Sequence, residues 1–525
     1  MSEGPLDRFH AAVDLGASSG RVVLGRWNAS GLELLEVRRF PNGPIESDGR
    51  LIWDAERLFD ETLLGLAEAV RVAQDAGAQL DGIGIDSWGV DVGLVDDGAI
   101  GVGSADVGRT ASGPAAPAAP AVPTVHHHRG ADALGPAVAA GLVDAATAYG
   151  ITGVLEQSIN TSYQLRSRAV EAAEGAADVT RRTVLLVPDL WVQLLTGITG
   201  AERTIASTTQ LLDQRTGEWS VELIDRWGLS GFDFPTIVAP GTLAGPTTPA
   251  VTERLGAAAP IPVYRVAGHD TASALAFARP ANAELLVSSG SWSLAGVCLE
   301  EPVLTESARI AGFTNEAGAD GSSLLIRNLA GMWLLTECAR GWSEEDGRRI
   351  DPVELVEEAT EQSERSERDV TAVPSPVFDV GDPSLLVPGD MPARIAALCR
   401  AAGQDAPVGR IGVVRSIIES LAVAYAETVH ACETITGTPL RSVRIVGGGS
   451  RNRLLCRRTA ERTGLPVAAG PAEASALGNL AVQLVAAGAA PSVAEVYRVG
   501  GSAITGSTGV DAPAVDARHH DRESA

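Results

Sequence analysis

The chain has 525 residues, 45% of them hydrophobic and 20% charged, with 66 acidic against 41 basic side chains and a formal net charge of −25. That length exceeds the ~250–300 residues at which a single core stops growing, so more than one domain is expected, and the apolar content excludes wholesale disorder. Charge this negative argues against nucleic acid or an anionic membrane as the main partner, because phosphate binding needs a clustered positive field.

No lysine occurs anywhere, so every basic role falls to arginine, and neither a Schiff base nor a lysine-centred phosphate loop is available. The five cysteines, Cys298, Cys338, Cys399, Cys432 and Cys456, are scattered without a CxxC spacing. They read as reduced core residues of a cytoplasmic protein, not as a disulfide framework or a zinc site. The acidic N-terminus is unlike a signal peptide, and no run reaches the ~18 apolar residues of a membrane span.

In chain order, AAVDLGASSG (11–20) predicts a strand ending in a Gly/Ser turn, RVVLGRW a second strand and LELLEVRRF (32–40) a third. Asp54 is a fitting N-cap for a helix over 55–76, where Leu58, Phe59, Leu63, Leu66 and Val70 recur at helical spacing. GIGIDSWG (82–89) returns as a buried strand, and the alternation indicates an α/β layer structure. Residues 98–124, rich in Pro, Gly and Ala, read as a flexible insertion. Helices are expected near 132–148 and 161–176, and TVLLVP (183–188) as a strand. The Pro/Gly/Thr-rich stretch 239–260 is the expected domain boundary, which divides the chain into 1–245, 246–500 and a disordered tail at 501–525. The second half repeats the pattern: a strand running into a helix over 262–276, a hairpin over 285–297, a long helix over 409–436, a strand and glycine turn over 442–450, and helices near 451–463 and 473–488.

Chemistry gathers at the strand ends. Asp14 precedes Gly16-Ala17-Ser18-Ser19-Gly20-Arg21, where backbone N–H groups and hydroxyls suit phosphate oxygens and the carboxylate suits Mg²⁺. A Ser-capped hairpin turn is the plainer reading. The same residues satisfy GxSxG, but a nucleophile elbow needs a helix next, and Val22-Val23 favours a strand. Asp270, in Gly268-His269-Asp270-Thr271, is either a helix N-cap or a general base held rigid by capping. Ser288-Ser289-Gly290-Ser291 makes a second hydroxyl-rich turn. Gly447-Gly448-Gly449 suits either a flat ligand or close helix–strand packing. Asp86 to Asp91 sets carboxylates beside Trp88, as in sugar sites, the alternative being a buried Trp with surface acids. His126-His127-His128 is a poor metal site, because consecutive side chains point apart.

Taken in order, VDLGASSGRV (13–22), IGIDSWGVD (83–91), NTSYQL (160–165), TTQLLD (208–213), GHDTASALA (268–276), SSGSWSLAG (288–296), TNEAG (314–318), NLAGMWLL (328–335), IVGGGSRN (445–452) and AGPAEASALGN (469–479) resemble the FGGY carbohydrate kinases of the actin–hexokinase superfamily. The resemblance implies an α/β fold of two actin-like, ribonuclease H-like domains with a cleft between them, the first on the sugar side and the second on the nucleotide side. Its nearest match is to members that phosphorylate L-rhamnulose at the C1 hydroxyl from Mg²⁺ and ATP. Alternatives are another ketose, such as L-fuculose or D-xylulose, and a non-catalytic sugar or nucleotide sensor. Carried over by position, it implies Asp270 as proton acceptor, with Gly89, His269, Thr271 and Asn328 also at the sugar. It implies Ala17, Ser18, Ser19, Gly20, Arg21, Ser291 and Gly448 at ATP, and Asp14 at the metal. Ser291 replaces the family's usual Thr and keeps its hydroxyl, while Arg129-Gly130 loses a carboxylate near the sugar side.

Overall fold

The computed structural model describes residues 7–96, 122–128, 141–173, 182–278, 283–366 and 374–504. Two compact units form, and neither is a contiguous half. The first draws on 1–279, 297–328 and 473–504, the second on 280–296 and 329–472. The boundary expected at 245/246 therefore falls inside the first unit, within the strand Thr242–Pro246, which pairs with Pro262–Arg265.

The first unit is organised by a six-stranded sheet. β1 (Arg8–Leu15), β2 (Ser19–Asn28) and β3 (Gly31–Pro41) form an antiparallel meander, as the β-branched runs predict. Two short strands, β4 (Pro44–Ser47) and β5 (Arg50–Trp53), lead to α1 (Ala55–Asp75), whose N-terminus is capped by Asp54 through the Arg57 N–H. β6 (Leu80–Ser87) then returns parallel to β1, and Pro262–Arg265 lies parallel to β6. β1 is buried on both faces. Phe9, Val13 and Leu15 pack with Leu58, Phe59, Leu63 and Leu66 of α1, while Ala12 packs with Ala476, Leu477 and Leu480 of the helix Ala474–Ala486. A strand so enclosed has little room to shift register, so its last residues are set firmly in space.

A second six-stranded sheet in this unit includes Arg182–Leu186, Val92–Asp96 and Val125–His126. The strand expected over 183–188 stops at Leu186, because Pro188 suits the first turn of a helix, and Val187–Thr196 is that helix. Of the expected insertion, 98–121 lies outside the described residues. Val122 packs on the core and Pro123 lies against Gly93, so its end at 124 is too late. The helix expected over 132–148 has its first part outside the described residues; among the described residues the helix here is Ala145–Thr152. Residues 501–504 extend the last helix, Val493–Ile504, and the rest of the expected tail lies outside the described residues.

In the second unit, Glu284–Ser289 pairs antiparallel with Trp292–Leu299 and parallel with Ser442–Val446, which pairs parallel with Val467–Ala469. The long helix is Gly409–Thr436, ended by Gly437 in the left-handed region. No helix among the described residues is long and apolar enough to cross a membrane.

Candidate functional site

Neighbouring strands deliver acids to one end of the first sheet. Asp14 and Asp86 face each other in the β1–β6 register, and Ser87 bridges to His269 beside Asp270. The Ser87 N–H donates to Gly268 O at 2.8 Å, which fixes the turn before Asp270 to the end of β6.

Asp14 is buried and heavily engaged. Its Oδ2 accepts from Arg21 Nη2 at 2.6 Å, from Arg21 Nε at 2.9 Å and from Ser475 Oγ at 2.6 Å. Arg21, its cross-strand neighbour on β2, also pairs with Glu473. The turn between them is tight. The Gly16 N–H donates to Ser19 O, Asn42 Nδ2 donates to Gly16 O, and a side chain at Gly20 would strike the Phe40 ring.

Asp86 is fully buried, and only one of its oxygens is engaged. Oδ2 accepts from Asn479 Nδ2 at 2.6 Å, while Oδ1 has no hydrogen-bond partner among the described residues. Burial, and then the like charges of Asp14 and Asp270, hold its carboxyl well above the usual range. Asn479 is oriented in turn by Gln483, which donates to Asn479 Oδ1 at 2.7 Å and to Ala11 O at 3.0 Å.

Asp270 opens the helix Asp270–Ala278 with 35% of its side chain exposed. Enclosure by its neighbours and the charge of Asp14 raise its carboxyl, His269 opposes them, and Thr271 Oγ1 donates to its Oδ1 at 3.1 Å. His269 is buried between two acids, with Nδ1 2.9 Å from Glu316 Oε2 and Nε2 3.5 Å from Asp270 Oδ1. Burial opposes its charge, but Glu316, Asp270 and Glu202 outweigh burial and lift the imidazole to about 9. Because the folded value lies above the ordinary 6.5, this pairing stabilises the fold fully below about pH 6.5 and is lost as pH rises through about 9. An NMR titration of the His269 ring should therefore show a midpoint near 9 that falls in Glu316→Gln, where burial is opposed by Asp270 and Glu202 alone. An unchanged midpoint would remove Glu316 from the pairing.

Beyond β6, Gly89 lies against Thr208, and a Cβ there would come within 3.1–3.2 Å of that side chain. Val90 has φ +66°, strained for a β-branched residue, and it is gripped at both polar atoms. Its N–H donates to Thr208 Oγ1 at 3.2 Å, and its carbonyl accepts from Thr161 Oγ1 at 2.7 Å. Asp91 is fully buried, as is Asp86, so the alternative of surface acids beside a buried Trp does not hold. Its Oδ2 takes both indole N–H groups, from Trp53 at 2.7 Å and Trp88 at 2.9 Å, and lies 3.0 Å from His128 Nδ1. The three consecutive histidines have different partners: His126 pairs in a strand, His127 stacks on His128 and lies tilted against Trp53, and His128 meets Asp91. Arg129 and Gly130 lie outside the described residues.

In the second unit, Ser291 is exposed at the tip of its hairpin. The helix Trp333–Asp346 docks on that tip through Trp333 N–H to Ser291 O at 3.0 Å. Of the three glycines, Gly447 and Gly449 pack against Ser289, while Gly448 is exposed and a Cβ there would meet nothing within 4 Å. Close packing thus accounts for two of the glycines, and the middle one has open space beside it.

Comparison with known proteins identifies the family. The model for the FGGY family of carbohydrate kinases, N-terminal domain, matches residues 140–276, and that for the C-terminal domain matches 285–487. A rhamnulokinase of Bacteroides thetaiotaomicron is 36% identical over 487 residues, 92% of each chain. The chain belongs to the FGGY family of carbohydrate kinases. A rhamnulokinase of Oceanobacillus iheyensis is 32% identical over 481 residues, 92% of this chain and 94% of that one. Among solved structures, the ligand-bound xylulose kinase of Lactobacillus acidophilus gives a TM-score of 0.69 at 14% identity, covering 94% of this chain and 92% of that one. The xylulose kinase of Rhodospirillum rubrum gives 0.66 at 19%, covering 95% and 99%. Likeness at that identity establishes the two-domain, actin-like α/β fold.

As an FGGY kinase, the chain carries out ATP-dependent phosphoryl transfer. Of the residues singled out by sequence, Asp14, Arg21, His269, Asp270 and Thr271 belong to one connected polar cluster in the first unit. Gly89 lies two residues beyond the end of β6, on the Thr208 side. Asn328 is exposed near the end of the strand Ser323–Ala330, and Ser291 and Gly448 sit on turns of the second unit. Sequence reasoning passed over Glu316, Glu473, Ser475, Asn479 and Glu202. The first four lie inside quoted motifs, NEAG and GPAEASALGN, whose polar side chains were the available signal.

Proposed function

We propose that this FGGY kinase transfers the γ-phosphoryl group of ATP to the C1 hydroxyl of L-rhamnulose. The observation that carries the substrate is the identity of 36% and 32%, over 92% of the chain, to two relatives named rhamnulokinase. The polar cluster supports the chemistry. Asp270, partly exposed at a helix start, accepts the sugar hydroxyl proton; burial raises its carboxyl, and His269 beside it opposes that rise, favouring the ionised form that a base requires. Gly89, Thr271 and Asn328 complete the sugar side. The turn from Ala17 through Ser18, Ser19 and Gly20 to Arg21, together with Ser291 and Gly448, holds the nucleotide.

Phosphoryl transfer asks mostly for positioning and charge stabilisation, so a lysine-free chain suffices. Mg²⁺ fits the donor set: hard carboxylate oxygens of Asp14 and Asp86 at adjacent strand ends, with Asp86 Oδ1 buried and without a partner among the described residues. When bound, the ion neutralises charge on the phosphates. Asp14 would hold it, and Arg21 orients Asp14 through two hydrogen bonds to its Oδ2.

The test is ADP release with L-rhamnulose, L-fuculose and D-xylulose in parallel. A pocket built to hydrogen-bond its own sugar should favour L-rhamnulose in kcat/KM by about tenfold or more. A higher value for either other ketose would reassign the substrate, and no turnover with any of the three would favour a sensor.

A further inference from the structure

The turn that presents Asp270 is gripped from behind by a buried acid. Glu202, 2% exposed, accepts the Gly268 N–H on Oε2 at 2.8 Å. Its oxygens also accept from the Thr204 N–H at 2.9 Å, Thr204 Oγ1 at 2.5 Å and the Ile205 N–H at 3.2 Å. Thr204 Oγ1 in turn accepts the His269 N–H at 3.2 Å. The two peptide N–H groups immediately before Asp270 therefore both end on the Glu202–Thr204 pair.

Glu202 is itself anchored. Its N–H donates to both oxygens of Asp189, at 3.1 and 3.2 Å, and Asp189 Oδ1 accepts from Arg265 Nη1 at 2.7 Å. Arg265 also donates to Gly200 O and Ile198 O, and it lies three residues before Gly268 on the same stretch of chain. The contacts close a ring running Arg265, Asp189, Glu202, Gly268. Gly200 admits the guanidinium, since a Cβ there would lie 2.9 Å from Arg265 Nη2, and Gly268 admits Glu202, whose Oε2 would be 3.1 Å from a Cβ.

Such a ring is costly, because three charges are taken out of water together. Capping the four-residue helix Arg203–Ala206 does not require it: Ser, Thr, Asp or Asn is the preferred cap, and none reaches as far as Glu. The extra length of Glu202 is used to reach Gly268. Resting on the reading of Asp270 as base, we propose that Glu202, with Thr204, is a positioning residue that sets the Asp270 carboxylate for proton acceptance, and that the Arg265–Asp189 pair holds Glu202 in place.

Steady-state kinetics of Glu202→Gln, Thr204→Val, Thr204→Ser and Asp270→Asn test this. Gln keeps the shape but sets an NH₂ against converging donors, so kcat should fall about 10–100-fold with both KM values within about threefold, as for a misplaced catalytic group. Thr204→Val should lower kcat, and Thr204→Ser, which keeps the hydroxyl, should restore it. The double variant Asp270→Asn/Glu202→Gln should be no slower than Asp270→Asn alone, because residues acting as a unit are not additive. If Asp270→Asn is inactive while Glu202→Gln keeps kcat within twofold, the positioning role is wrong and the base stands. Should Asp270→Asn itself turn over normally, the underlying reading fails first. If Glu202→Gln does not fold, the threonine pair decides: equal kcat for Val and Ser overturns the proposal.

Discussion

Asp270→Asn is expected to abolish phosphoryl transfer, lowering kcat by about 10³-fold or more, while ATP affinity stays within a few-fold. Asparagine keeps the size of the side chain and one oxygen to accept from Thr271 Oγ1, so the start of the helix survives. What it removes is the capacity to take a proton, and the negative charge that His269 meets at 3.5 Å. Ground-state binding of ATP needs neither. The parent enzyme should also show a pH profile set by this pair. Burial and Asp14 raise the Asp270 carboxyl, so activity falls on the acid side as that carboxyl takes up a proton. His269 carries its proton up to about 9, and above that Asp270 loses its neighbouring positive charge, which marks the alkaline limit. ADP release across pH, with calorimetry for ATP, measures both. Near-normal turnover in Asp270→Asn would overturn the assignment of the base.

Local pattern made most of the fold legible. The long helix expected over 409–436 is Gly409–Thr436, because apolar spacing carries it inward and Gly437 stops it. The hairpin that excluded a nucleophile elbow is the β1–β2 pair, with Asp14 opposite Arg21. Domain limits were not legible, since composition marks a Pro/Gly/Thr-rich stretch at 239–260, which holds the strand Thr242–Pro246 and the helix Pro249–Arg254, but not that 297–328 and 473–504 return to the first unit. The same limit governed the site. Asp14, His269 and Asp270 stand where a strand gives way to a turn or helix, a local signal. Glu473, Ser475 and Asn479 reach Arg21, Asp14 and Asp86 across separations of 452, 461 and 393 residues, and although their motif marks them as polar, nothing local says which residues they meet. That Asp86 and Asp91 are buried was not legible either, because burial of a carboxylate depends on partners contributed by other segments: Asn479 for one, Trp53 and His128 for the other.

Those long-range partners ride on one helix, so its seat should be the most sensitive structural point of the first unit. At Gly478, midway along Ala474–Ala486, a Cβ would overlap the backbone oxygen of Ser273 and come within 2.5 Å of its carbonyl carbon. Both offending atoms are main chain, so no rotamer change relieves the contact; the two helices must separate. In an open helix Gly→Ala gains about 1 kcal/mol. Here overpacking costs about 1–3 kcal/mol or more, and the clash decides the sign. Separation also carries function with it. The helix that contains Ser273 begins at Asp270, while the other holds Ser475 against Asp14 and Asn479 against Asp86. Gly478→Ala is therefore expected to lower the urea midpoint and to reduce kcat by about tenfold or more, as displacement of a reacting group by about 1 Å does. Gly478→Val should not fold. The control is Gly341→Ala, in the helix Trp333–Asp346, where a Cβ would meet nothing within 4 Å and substitution should be neutral or stabilising. Equal midpoints and equal turnover for the two alanine variants would show that the helices part without strain, and that the carboxylate cluster does not depend on their close approach.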